Sequence, residues 1–309
     1  MDINQYYGAM IGSACGDTLG RATEFMRKGE ILKFYDDKVT EFQPDRLNVF
    51  QYGEYTDDTY LMLCIANSLI ENEYVNIYDL SDRFQHWLRT NGKDCGNLTY
   101  DAISLMIEGF DPIDSGRHAW EKTGKESAGN GGLMRNTSIP LFFVNDFDQM
   151  LEASDLCCKI THFDNRCILS CMAHSIAMYA ILHGYNVFDY VWAHCGERDD
   201  EFDDLLFEAR DCKIKDFTLD GYDMGYTYLS LKVALCAVLN YENFKDPIIE
   251  IVNQGGDADT NACIAGGLLG AKFGLNSIPK SWQDDLLGFS DLYNIAEKIY
   301  NIANQQLQS

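Results

Sequence analysis

Basic residues are scarce in this chain: 24 lysines and arginines stand against 48 aspartates and glutamates, a formal net charge of −24 over 309 residues. A surface of that sign repels phosphates, so no nucleic-acid partner is expected. A nucleotide diphosphate is admitted only where local donors or metal ions offset the field. Long apolar runs are also missing. None approaches the roughly 20 residues that cross a bilayer, so no membrane partner is expected. The opening Met1-Asp2-Ile3-Asn4-Gln5-Tyr6-Tyr7 shows neither the basic nor the apolar part of a secretory signal. Prolines number five and period-two alternation is rare, so strands should be few. The eleven cysteines are scattered, many within apolar helical stretches, and no Cys-x-x-Cys pair recurs at zinc-finger spacing. They read as mostly buried thiols of a reducing, cytoplasmic setting.

What is present is helical spacing. Apolar residues recur three and four apart in 60–71, 79–89, 99–108, 149–160, 166–183, 226–240, 246–253, 261–273 and 291–305. With 46% hydrophobic residues the chain can bury a full core without disulfides. One compact, multi-helix, all-α domain over residues 1–309 is expected. Gly8, Gly12, Gly16 and Gly20 stand at four-residue steps, a smooth stripe that lets another backbone come close. Each glycine costs a helix about 1 kcal/mol against alanine, so close packing or ligand approach must compensate. Segments 27–55, 90–98, 110–131 and 196–225 read as long polar loops, and the acidic block 197–204 as a solvated face.

Two polar quartets precede apolar helical runs: Thr56-Asp57-Asp58-Thr59 and Asp257-Ala258-Asp259-Thr260. Acids and hydroxyls are ordinary helix caps. They are also the hard oxygen ligands that Mg²⁺, Ca²⁺ and Mn²⁺ prefer, and the two starts would make a metal site if the fold joined them. The second is not an EF-hand loop, because Ala262 and Leu268 stand where glycine and a bidentate glutamate are required. Gly255-Gly256 suggests a tight bend delivering the acids to a helix start. Ser127–Arg135 is rich in glycine amides able to nest an anion, yet matches neither a Walker loop nor a dinucleotide fingerprint. His162 stands alone, without a His-Asp dipeptide. By itself Asp94 reads as part of a turn and Glu24 as surface.

Taken in order, these pieces resemble the ADP-ribosylglycohydrolase family. The elements that carry the resemblance are Gly12-x-x-x-Gly16-Asp17-x-x-Gly20-x-x-x-Glu24, Tyr55–Thr59, Asp94-Cys95-Gly96-Asn97, Gly129–Arg135, Thr161-His162 and Gly255–Asn261. They span residues 8 to about 274, leaving the acidic loop and the carboxy-terminal helix peripheral. The resemblance implies an all-helical fold around two divalent cations, Mg²⁺ or Mn²⁺, held by Thr56, Asp57, Asp58, Asp257, Asp259 and Thr260. It implies catalytic roles for Glu24, Asp58, Asp94 and Asp257. It places ADP-ribose against Gly96, Asn97, Ser127, Gly129, Asn130, Gly131, Gly132, Met134, His162 and Tyr226. The expected substrate is an ADP-ribosylated protein, the product ADP-ribose, and a further partner a cognate ADP-ribosyltransferase or its target. Asp94 points to ADP-ribosyl-arginine, since a carboxylate pairs with a guanidinium, although neighbouring Lys93 would dilute the local negative potential. The competing readings are an ADP-ribosyl-serine or other O-linked hydrolase, a non-catalytic ADP-ribose-binding or toxin-neutralising module, and a two-metal phosphohydrolase.

Overall fold

The structure, a computed structural model, describes residues 1–306. Sixteen α-helices follow one another among them: α1 (Ile3–Gly20), α2 (Lys28–Tyr35), α3 (Asp57–Asn72), α4 (Ile77–Thr90), α5 (Asn97–Ile107), α6 (Pro112–Lys122), α7 (Ser138–Phe142), α8 (Phe147–Lys159), α9 (Asn165–His183), α10 (Val187–Cys195), α11 (Asp200–Asp211), α12 (Thr227–Asn240), α13 (Lys245–Val252), α14 (Ala258–Phe273), α15 (Lys280–Asp285) and α16 (Phe289–Gln306). No strand forms among the described residues. The only extended pairings there are two isolated bridges, Arg27 with Gly255 and Gly129 with Tyr226. All eleven cysteines are free and eight are buried. Among the described residues no helix is long and apolar enough to cross a membrane.

Three of the expected loops contain helices. Segment 27–55 holds α2. Segment 110–131 holds α6, which starts where Asp111 accepts from the amides of Ile113 and Asp114 and Pro112 takes the first turn. Segment 196–225 holds α11, so the acidic block is a helix start rather than a plain loop. Asp199 caps it, Asp200, Glu201 and Asp203 fill the first turn, where the helix dipole favours negative charge, and Phe202, Leu205, Leu206 and Ala209 are buried. The density of charge masks the four apolar residues that make α11 amphipathic. Short α7, α10 and α15 also lie outside the expected helical windows.

The fold is organised around α1 and α14, whose central residues are buried on every side. The glycine stripe explains how. A Cβ on Gly8, Gly12, Gly16 or Gly20 would fall well within 3.0 Å of the carbonyl oxygens of Gly270, Gly266, Ala262 and Ala258 respectively. Gly266 and Gly270 make the reciprocal approach to Gly12 and Gly8. The helices therefore run antiparallel with their backbones in contact, and the end of α1 meets the start of α14. Gly20 touches the backbone of Asp259, and the 3₁₀ turn Arg21–Thr23 then carries the chain on to Glu24. Against α1 lies α16, with Tyr7 stacked on Tyr293 at 3.8 Å between ring centroids.

Candidate active site

The two polar quartets meet although about two hundred residues separate them. At the start of α3, Thr56 makes no side-chain cap; the cap comes from α1 instead. Asp17 accepts the Thr56 N–H at 2.9 Å, the Thr59 N–H at 3.2 Å and the Thr59 hydroxyl at 2.5 Å. With those donors satisfied, Asp57 and Asp58 need not fold back on their own helix. Thr56 Oγ1 donates to Asp58 Oδ2 at 3.0 Å, and Thr260 Oγ1 approaches the same oxygen at 3.4 Å, joining the two helix starts. On the other side Gly255 and Gly256, at φ +74° and +69°, make the bend before α14. Any Cβ there would strike the Met26 and Leu219 carbonyls. That bend exchanges backbone hydrogen bonds with the Glu24 segment: Phe25 N–H to Gly256 O at 2.7 Å and Gly256 N–H to Met26 O at 2.9 Å.

These elements enclose a cavity of about 380 Å³. Its wall includes Glu24, Asp57, Asp58, Asp94, Gly96, Asn97, Ser127, Gly129, Asn130, Gly131, Met134, His162, Asp257, Asp259 and Thr260. Of the residues expected from the sequence, Thr56, Gly132 and Tyr226 stand outside it. Thr56 is one bond behind Asp58. Gly132 backs onto Cys158 and His162, where a Cβ would be 2.9 Å from the Cys158 sulfur. Tyr226 caps α12 with its backbone bridged to Gly129, and its hydroxyl donates to Glu201 at 2.9 Å. Asn130 ties the glycine loop to the acids, its amide donating to Asp257 Oδ2 at 2.6 Å and to Ser230 at 2.9 Å. Lys93 does not dilute Asp94: its ammonium pairs with the buried Glu54 at 2.9 Å.

The carboxylates disturb one another strongly. Burial, then the charges of Asp94, Asp257 and Asp58, push Glu24 up to about 9. Burial and neighbouring acids also raise Asp57, Asp58 and Asp259 well above the carboxylate range. Asp17 rises only to about 6, because the hydrogen bonds from Thr59 and Thr56 offset its burial. Ligating oxygens of Glu24, Asp257 and Asp259 lie within 4.8 Å of one another. One oxygen of Asp58 and one of Asp259 are buried with no hydrogen-bond partner. Crowded acids with orphaned, hard oxygens suit a divalent cation, which would supply the missing partner and cancel the repulsion.

The whole chain carries one family pattern: a profile described as ADP-ribosylglycohydrolase matches residues 2–308. The chain belongs to the ADP-ribosylglycohydrolase family. It is an enzyme of glycosidic-bond hydrolysis, in a family that depends on metal. Among its relatives, the ADP-ribosyl-[dinitrogen reductase] glycohydrolase of Rhodospirillum rubrum is 30% identical, over 90% of this chain and 89% of its own. The ADP-ribosylarginine hydrolase Tri1 of Serratia proteamaculans is 28% identical, over 97% and 80%. ADP-ribosylhydrolase ARH3 of Gallus gallus is 24% identical, over 98% and 94%. A solved structure titled ADP-ribosylglycohydrolase-related protein complex superposes with a TM-score of 0.83 at 25% identity, covering 97% of this chain and 98% of its own.

Several residues that shape this ADP-ribosylglycohydrolase site had no role assigned from sequence, though Asp17 and Arg135 stand within the motifs that carry the resemblance. Asp17 is one; an acid between Gly16 and Thr18 inside a small-residue helix was its visible mark. Phe25, Leu98, Thr99 and Gly225 also line the cavity. Arg135 acts from behind the wall. Its Nη2 donates to Thr161 Oγ1 at 2.6 Å, and that hydroxyl lies 2.8 Å from His162 Nδ1. Thr161 thus links the buried guanidinium to the imidazole. Burial, then Arg135, depress His162 to about 3, so it is neutral. Its ring packs so closely on the glycine loop that a Cβ on Gly131 would be 2.8 Å from Cε1. The cavity thus receives a neutral imidazole held against the glycine loop.

Proposed function

We propose that this enzyme removes ADP-ribose from arginine side chains of proteins by hydrolysing the N-glycosidic bond. The observation that carries the reading is the meeting of two chemistries in one cavity. Acidic helix starts line one side, and a glycine loop with a neutral histidine lines the other, with Asp94 at the rim. In this reading Thr56, Asp57, Asp58, Asp257, Asp259 and Thr260 hold two divalent cations, Mg²⁺ or Mn²⁺. Bound there, the cations supply a water of lowered pKa and a clamp for ribose hydroxyls. The amides of Gly129 and Gly131, with Asn130 and the His162 imidazole, bind the diphosphate and ribose. Glu24 and Asp94 face the anomeric side. Glu24 is placed to exchange the proton of the attacking water, and Asp94 to pair with the departing guanidinium. Water oxygen bonds to the anomeric carbon, the carbon–nitrogen bond breaks, and its electron pair leaves with the guanidine. The relatives named for arginine hydrolysis and for dinitrogen reductase support the direction of this reading. ADP-ribosylated proteins would be the substrates, ADP-ribose the product, a cognate ADP-ribosyltransferase the opposing partner, and the cytoplasm the setting.

The test is direct. Peptides bearing ADP-ribosyl-arginine or ADP-ribosyl-serine are incubated with the protein in Mg²⁺ or EDTA, beside an Asp57→Asn/Asp58→Asn variant. Release from arginine that is lost in EDTA and in the variant is expected. Release from serine alone would overturn the linkage, and release surviving both treatments would overturn the metal-dependent chemistry.

A further inference from the structure

A second cavity of about 380 Å³ opens beside the first and shares three residues with it: Glu24, Phe25 and Asp94. Its wall adds Leu47, Val49 and Phe50, of which Leu47 is 77% and Val49 47% exposed. The cations lining it are engaged by backbone carbonyls. Arg21 donates to Glu54 O at 2.6 Å and Gln51 O at 3.2 Å, and Arg46 to Glu24 O at 2.7 Å. Asp45 is spent on its own turn, accepting from the amides of Val49 and Phe50. The carboxylates at the junction of the two cavities are therefore those of Glu24 and Asp94. Phe25 stands at the same junction, 66% exposed and at φ +56°, a region that bulky side chains rarely adopt and that costs about 1–3 kcal/mol. Hydrogen bonds on either side hold it there, from its own N–H to Gly256 and from Arg46 to the Glu24 carbonyl. Core packing does not account for an exposed ring held under such strain.

We propose that the second cavity receives the modified arginine side chain of the protein substrate, with the Phe25 ring as the platform for its guanidinium. This rests on the arginine reading above. An arginine has an apolar stem suited to Leu47 and Val49, the Phe50 ring being covered by Arg21 and Lys93, and a planar cation that stacks on an aromatic face. Asp94, beside Glu24, presents its carboxyl group at the edge of that plane, where the bond to ribose enters the first cavity. A serine linkage offers neither the stem nor the cation, so the same wall selects between the two.

Steady-state hydrolysis of an ADP-ribosyl-arginine peptide, with Mg²⁺, is compared with ADP-ribose binding by calorimetry for the unaltered protein, Phe25→Leu, Phe25→Trp and Leu47→Arg. Phe25→Leu is expected to lower kcat/KM about fivefold to tenfold, mainly through KM, as loss of one cation–π contact implies. Its affinity for ADP-ribose should fall by a smaller factor than kcat/KM, and Phe25→Trp should recover the loss in kcat/KM. Leu47→Arg, on an exposed loop where folding is not at stake, should raise KM through like charge. An unaltered KM in both Phe25→Leu and Leu47→Arg, or an ADP-ribose affinity falling by the same factor as kcat/KM, would overturn the assignment. If the unaltered protein fails to release ADP-ribose from arginine, the arginine reading falls and takes this one with it. Turnover that ignores the variants removes only the second cavity's role.

Discussion

Asp17 never reaches the cavity wall, yet three donors from the start of α3 converge on its carboxylate. Removing it leaves those buried groups without an acceptor, at about 1–3 kcal/mol. Asp17→Ala should lower the unfolding free energy by that amount, seen as a lower urea midpoint, and weaken Mn²⁺ binding, because Asp57 and Asp58 lose the frame that turns them into the cavity. An unchanged midpoint would show that water replaces the carboxylate without loss. Asp94 stands at the opposite extreme, on the exposed rim and in the left-handed region at φ +61°. Asp94→Ala should reduce hydrolysis of ADP-ribosyl-arginine about a hundredfold or more while leaving the dissociation constant of ADP-ribose in place. Equal losses in both would remove its leaving-group role.

At the scale of elements, the contact between α1 and α14 is both scaffold and ruler. Gly16 faces the Ala262 carbonyl so closely that a methyl group must push the helices apart. Gly16→Ala should therefore destabilise by about 1–3 kcal/mol in spite of its better helix propensity. Cation affinity should fall as well, because the same contact sets Asp259 against the end of α1. Gly29 in α2 has open space where a Cβ would stand, so Gly29→Ala should be neutral or stabilising by up to about 1 kcal/mol. Paired denaturant titrations of the two variants decide this; similar effects would mean that the stripe is not a packing device. The glycine spacing made the close approach legible in sequence, as the hydroxyl and acid quartets did the helix starts. Helix α11 was harder to see, because seven of its twelve residues are charged and its apolar positions fall in short pieces between them.

The molecule as a whole carries the electrostatic consequence. Carboxylates whose folded pKa is raised stabilise the fold while protonated, and that stability is lost as pH rises through the folded values. Glu24, near 9, acts in this sense across pH 6.5–8.5, and the elevated Asp57, Asp58 and Asp259 act in the same direction. His162, near 3, and His174, near 4, act in the opposite sense, but only below about 6.5, the ordinary histidine value. Within the window 6.5–8.5 the metal-free protein should therefore lose thermal stability as pH rises. The gain in Tm on adding Mg²⁺ should grow over the same range, since the cation replaces the missing protons. Melting curves in EDTA and in Mg²⁺ at several pH values measure both. A Mg²⁺ gain that is flat with pH would mean that the cation binds away from these acids.

Local sequence determined what local physics governs: helices from three- and four-residue apolar spacing, a close helix contact from four glycines in step, and acids and hydroxyls at two helix starts. The order of those motifs was enough to mark the family. Tertiary structure alone decided which groups face one another. Packing of α1 on α14 joined quartets two hundred residues apart, and Asp17 capped a helix other than its own. Lys93 paired with Glu54, and Arg135 was joined to His162 through Thr161. Each of these depends on contacts between segments distant in the chain, and no periodicity or spacing encodes which distant partner a buried polar group will find.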